Sequence, residues 1–125
     1  MILDTNALSA FVDGDAKIAA ILRAQKQVSI PAIVLGEFRY GIAGSRHRKS
    51  YETWLADNLR HFEILPVDGN TAMSYAALRG ELKKRGRPIP ANDVWIAALA
   101  MQHRQPVLTR DEHFDALPGV ARKSW

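Results

Sequence analysis

The sequence predicts an α/β fold, a mainly parallel sheet with helices on both faces. Two observations lead there. Short apolar runs of strand length alternate with helix-length segments along the whole chain. With 125 residues, 47% hydrophobic and 24% charged, the chain has the size and composition of one domain, residues 1–125, able to build a core. No repeat, low-complexity tract or linker interrupts it.

Each element follows from local chemistry. Residues 1–4 read as a short buried strand ending at a carboxylate, and Asp4-Thr5-Asn6 supplies the turn and cap from which a helix can start. Ile18, Ala19, Ile21 and Leu22 mark a helix over 15–24. Residues 27–30 form a second strand closed by Pro31, and 32–43 a mostly apolar helix. A polar helix over about 46–60 carries Tyr51, Trp54, Leu55 and Leu59 on one face. Residues 62–67 are the third strand. Asp68 caps a helix over about 70–85 that ends at Gly86, with Pro88 as the stop. Asn92-Asp93 opens a helix running to about His103. Residues 106–109 are the fourth strand, 110–117 a loop with a short helical turn, and 120–122 a fifth, edge strand. In such a sheet, ligands collect beyond the carboxyl ends of the strands.

Composition removes several function classes. There is no Cys, so disulfides, thiolate metal sites and thiol nucleophiles are excluded. The N-terminus has no basic region followed by an apolar stretch, and no apolar run approaches the roughly 20 residues of a membrane span. The expected location is the cytoplasm, with no membrane partner. A net charge of +4 favours an anionic partner, nucleic acid first.

Nine of the thirteen acids sit on polar helix faces or in turns. The other four are Asp4, Glu37, Asp93 and Asp111. Asp4 ends the first strand, though a helix N-cap explains it equally simply. Glu37 lies within Ala32-Ile33-Val34-Leu35-Gly36-Glu37-Phe38, where an acid needs a partner or an exposed face. Asp93 opens the apolar helix that continues Val94-Trp95-Ile96-Ala97-Ala98-Leu99, where an Asx cap is the plainer role and Asn92 could supply it. Asp111 follows the fourth strand by two residues, in a loop where Asp is common. Together the four can meet at one edge of the sheet. Clustered carboxylates raise one another's pKa and persist when a cation neutralises them. An all-oxygen set selects a hard ion, Mg²⁺ or Mn²⁺, and such an ion suits phosphodiester hydrolysis.

The stretches Leu3-Asp4-Thr5-Asn6, Glu37-Phe38-Arg39-Tyr40-Gly41-Ile42, Asn92-Asp93-Val94-Trp95-Ile96 and Leu108-Thr109-Arg110-Asp111-Glu112-His113-Phe114 resemble, in this order, the motifs of the PIN-domain family. Within it they are similar to VapC-type toxins of toxin–antitoxin pairs. The resemblance implies a three-layer α/β/α sandwich and a metal-dependent endoribonuclease acting on structured RNA of the transfer or ribosomal class. It implies Asp4 and Asp93 as principal Mg²⁺ ligands and Glu37 as completing the acidic cluster or orienting water. Asp111 matches the family's least uniform acidic position, while Asn6 and Thr109 match polar positions lining the site. A homodimer and a cognate antitoxin are implied as well.

Other readings stay in view. A haloacid-dehalogenase-like phosphatase also places an Asp after its first strand, but wants a second Asp where Asn6 stands. A non-cleaving module binding RNA or an antitoxin is the other alternative, and DNA cleavage a further one. Arg39 is expected to pair with a carboxylate or a phosphate oxygen, and Asn92 to stand beside the site. Lys83, Lys84, Arg85 and Arg87 read first as a solvated helix end and second as phosphate contacts. His47, His61, His103 and His113 are expected in surface or core roles, and the three Trp residues in core or interface roles.

Overall fold

The computed structural model describes residues 1–125. Five strands, β1 (Ile2–Leu3), β2 (Ser29–Pro31), β3 (Glu63–Leu65), β4 (Val107–Leu108) and β5 (Arg122–Lys123), form one sheet in the order β3-β2-β1-β4-β5. Every pairing is parallel. Six helices flank it: α1 (Thr5–Val12), α2 (Ala16–Arg23), α3 (Ala32–Ala43), α4 (Arg48–Asn58), α5 (Gly69–Arg85) and α6 (Ala91–His103). This is the expected α/β/α arrangement, with the sheet parallel throughout.

The strands are very short, yet parallel strands covered on both faces must be apolar. Ile2, Leu3, Val107 and Leu108 accordingly have no solvent exposure. Twenty-five buried hydrophobic residues form one core cluster. The centre of α6, Ile96 to Leu99, is wholly inaccessible, so this helix is the molecule's internal spine.

Strand order decides where a site can form. From β1 the chain steps one way through β2 to β3, then returns through α5 and α6 to β4 on the other side of β1. The crevice between the ends of β1 and β4 is therefore a topological switch point, the usual place for a ligand in such sheets. The Asp4 amide donates to the Leu108 carbonyl at 3.2 Å, which ties the two strand ends together.

Three boundaries differ from expectation. The helix over 91–103 begins on Pro90, which takes the cap position without a side-chain hydrogen bond. Neither Asn92 nor Asp93 is therefore a cap, and Asp93 lies inside the first turn with its carboxylate uncommitted to the backbone. The polar helix ends at Asn58 and tightens into a 3-10 turn, Leu59–His61. The edge strand moves on to Arg122–Lys123, because Gly119 (φ 76°) makes a tight turn and the Val120 amide closes back on the Leu117 carbonyl.

Candidate active site

Four chain segments meet at the switch point. Asp4, at the end of β1, caps α1 through a 2.8 Å bond from the Thr5 amide to Oδ1. Its other oxygen, Oδ2, accepts from Thr109 Oγ1 at 2.7 Å and from Asn6 Nδ2 at 3.4 Å. The capping role is therefore present, and the second oxygen remains directed into the crevice, held by Thr109 and Asn6. Only 5% of Asp4 is exposed, and burial pushes its pKa up against the opposing pull of those hydrogen bonds.

Thr109 is fully buried and its hydroxyl is saturated. It donates to Asp4 and accepts from Asn6 Nδ2 at 3.1 Å and from the Asp111 amide at 2.9 Å. One donor and two acceptor sites are all a hydroxyl has. Asn6 completes the brace by accepting the Arg110 amide at 3.2 Å. Thr109→Val should therefore cost about 1–3 kcal/mol, the penalty for stranding buried polar partners. Urea denaturation checks the loss, and the Asp4 carboxyl, followed by NMR titration, should titrate higher still. A variant as stable as wild type would mean the brace is ornamental.

Asp111 caps a 3-10 turn, Glu112–Ala116, through the His113 amide. That turn aims the His113 ring back at the acids. Nδ1 lies 3.1 Å from Asp93 Oδ2 and 3.2 Å from Asp111 Oδ1. Burial pushes the Asp93 pKa up, the bond to His113 pulls it down, and the charges of Asp4 and Asp111 push it up again. His113 is raised in turn, chiefly by its hydrogen bond to Asp93.

Glu37 stands beside this group. Its Oε1 accepts from Thr5 Oγ1 at 3.1 Å, so Thr5 links Asp4, through its amide, to Glu37, through its hydroxyl. Beyond Glu37 a depression of about 290 Å³ opens between α1, α3 and α4. Arg39 is exposed on α3 and enters none of the ion pairs, contrary to a pairing with a carboxylate. Two residues after Glu37 it points about 200° around the helix. Asn92 is exposed next to Asp93.

Two residues escape a reading by sequence. His113 lies in the motif stretch 108–114 but was expected in a surface or core role, and it joins Asp93 from twenty positions away. The available clue was Asp111 as the cap of a turn whose second residue is His113. Thr5 was visible only as part of a turn.

The PIN-domain profile matches residues 1–120. This chain belongs to the PIN-domain family. Ribonuclease VapC5 of Mycobacterium tuberculosis is 33% identical to this PIN domain over 122 residues, covering 96% of the chain and 89% of the relative. Among solved structures, VapBC2 from Rickettsia felis, bound to a DNA fragment from its promoter, matches with a TM-score of 0.91 at 25% identity, covering 99% and 97% of the two chains. FitAcB from Neisseria gonorrhoeae matches with a TM-score of 0.85 at 33% identity, covering 97% and 94%.

The donor chemistry of this PIN domain fits a divalent cation. Asp93, Asp111 and His113 each offer an atom within 4.8 Å of the others. Asp4, almost wholly buried, lies outside that group of three but close enough to Asp93 and Asp111 for their charges to raise one another. No helix in the chain is long and apolar enough to cross a membrane.

Proposed function

We propose that this protein is an Mg²⁺-dependent endoribonuclease, the toxin of a toxin–antitoxin pair, cutting structured RNA of the transfer or ribosomal class. One observation carries the reading: Asp4, Asp93 and Asp111 converge at the switch point between β1 and β4, and burial and mutual repulsion push Asp4 and Asp93 up. Such a group costs stability unless a cation relieves it. The names of the relatives support the same reading, since they include ribonucleases, a toxin and, among solved structures, a toxin–antitoxin complex and a member of the VapBC family of toxin–antitoxin systems.

Asp4 and Asp93 hold the metal, with Asp111 as a further acidic partner. A bound Mg²⁺ or Mn²⁺ supplies an activated water and offsets charge on the scissile phosphate. Glu37 orients the attacking water. Thr5, Asn6 and Thr109 fix the acids so that little rearrangement is needed when charge develops. The positive surface holds a polyanion that the acids alone would repel. The protein works as a homodimer in the cytoplasm, and a cognate antitoxin restrains it.

Purified, partner-free protein should cut total cellular RNA into discrete fragments with Mg²⁺ or Mn²⁺ and stop when EDTA is added. End-mapping then names the substrate. Cleavage that persists in EDTA would sink the metal mechanism. A phosphorylated enzyme trapped on Asp4 would instead favour covalent phosphatase chemistry.

A further inference from the structure

The largest groove of the molecule, about 550 Å³, contains none of the carboxylates described above. Arg79 and Lys83 line it from α5, and Arg87 and Ile89 from the segment joining α5 to α6. Residues 86–89 also form one wall of a second depression of about 470 Å³, whose other wall includes Glu112 and His113. His113 in turn touches Asp93 and Asp111. A surface path thus runs from three cations to the acidic site.

Cations at the end of a helix usually need no explanation beyond the dipole. Here they divide into two sets. Lys84 and Arg85 fold back on Glu81, with separations of 3.7 and 3.8 Å, and share its one negative charge. Lys83 and Arg87 enter no ion pair. Arg79 is oriented without being neutralised: it donates to the Tyr75 hydroxyl at 3.1 Å and its guanidinium lies 5.7 Å from that ring's centre. Gly86, at φ 61°, reverses the chain, and the Arg87 amide bonds back to the Leu82 carbonyl at 3.1 Å. That reversal brings Arg87 into the groove beside Lys83. The one local acid is therefore spent on the two cations outside the groove. Those inside keep their charge for an external anion.

We propose that this groove holds the RNA strand on one side of the scissile phosphate, with Lys83 and Arg87 contacting backbone phosphates and Arg79 marking the far end. The proposal rests on the ribonuclease reading and adds where the substrate lies. Phosphate contacts set register and carry no base code. The groove therefore contributes affinity and direction, and leaves sequence choice to other contacts.

The test is equilibrium binding of a labelled RNA hairpin with a single-stranded tail to the full-length protein. EDTA prevents cleavage, and the salt concentration is varied. Each phosphate contact to a single strand contributes about 0.7 to the slope of log K against log salt. Lys83→Ala and Arg87→Ala should each lower the slope by about that amount, and the double variant by about 1.4. Lys83→Arg should keep the wild-type slope, and Lys84→Ala should too. Circular dichroism confirms that these exposed substitutions leave the fold intact. Wild-type slopes in the Lys83 and Arg87 variants, with RNA still bound, would overturn the groove alone. Failure of the wild-type protein to bind RNA at all would overturn the groove and the ribonuclease reading together.

Discussion

Asp93→Asn is expected to lower metal-dependent RNA cleavage by about 10²–10³-fold, the order seen when a group that stabilises transition-state charge is removed. The same substitution should make the metal-free protein more stable. Asp93 is raised mainly by burial, with Asp4 and Asp111 adding repulsion. Its ionised form is therefore a burden on the fold, and an amide of the same shape lifts it. The opposite signs are the informative part, because a variant that merely misfolds would lose both. Asp93 makes no capping bond that the substitution could break, since Pro90 holds that position. Thermal unfolding and cleavage, measured on one preparation, give both signs. An active Asp93→Asn protein would remove this residue from the site.

Metal binding should stabilise the protein by about 2.7 kcal/mol at a hundredfold excess over the Kd. For a chain of this length that is a rise in Tm of roughly 10 °C. The contribution of the site to the pH dependence of the metal-free protein should run against the common pattern, and against that of Asp15, Asp68 and Asp115, whose carboxyls are lowered by hydrogen bonds. Asp4 and Asp93 have native values above the ordinary 3.8, so the native state binds more protons than the unfolded state across that interval. Stability then falls as pH rises through it. His113 adds to the same trend: its raised value contributes stability below 6.5 that is lost as pH rises through the native value. Metal should reverse the slope, and its benefit should vanish toward low pH as protons take the acids. Calorimetric scans from pH 4 to 8, with and without Mg²⁺ or Mn²⁺, would display the crossing. Parallel curves would mean that the cation binds elsewhere.

The fold was legible because its elements are punctuated by strong local signals. Pro31 ends β2, Asp68 and Thr71 form a reciprocal cap on α5, and Gly86 closes the same helix in a left-handed conformation. Asp4 and Asp93 were legible as exceptions, acids set against apolar runs. What stayed hidden depended on how elements dock. The placing of His113 arises from the meeting of the α6 N-terminus with the turn after β4, a contact that no local pattern encodes. Of the two partners expected for Arg39, the carboxylate is not there, because nearness to Glu37 in sequence is not nearness around the helix. The cations of 83–87 looked alike as a run and separated only once Glu81 was seen to claim two of them.

The strand order also dictates when the crevice can be assembled during synthesis. β1 is made well before its second neighbour, β4, which follows it by about a hundred residues. At roughly 5–20 residues per second, the first acid waits several seconds for Thr109 and Asp111. A nascent chain can collapse around β1, β2 and β3, but it lacks half the crevice. The crevice therefore closes only after β4 and the turn behind it have been made. A chain that stops before Thr109 has Asp4 without the hydroxyl that braces it. Ribosome-stalled chains cut just before Thr109 should bind no metal at this site, and those carrying β5 as well should.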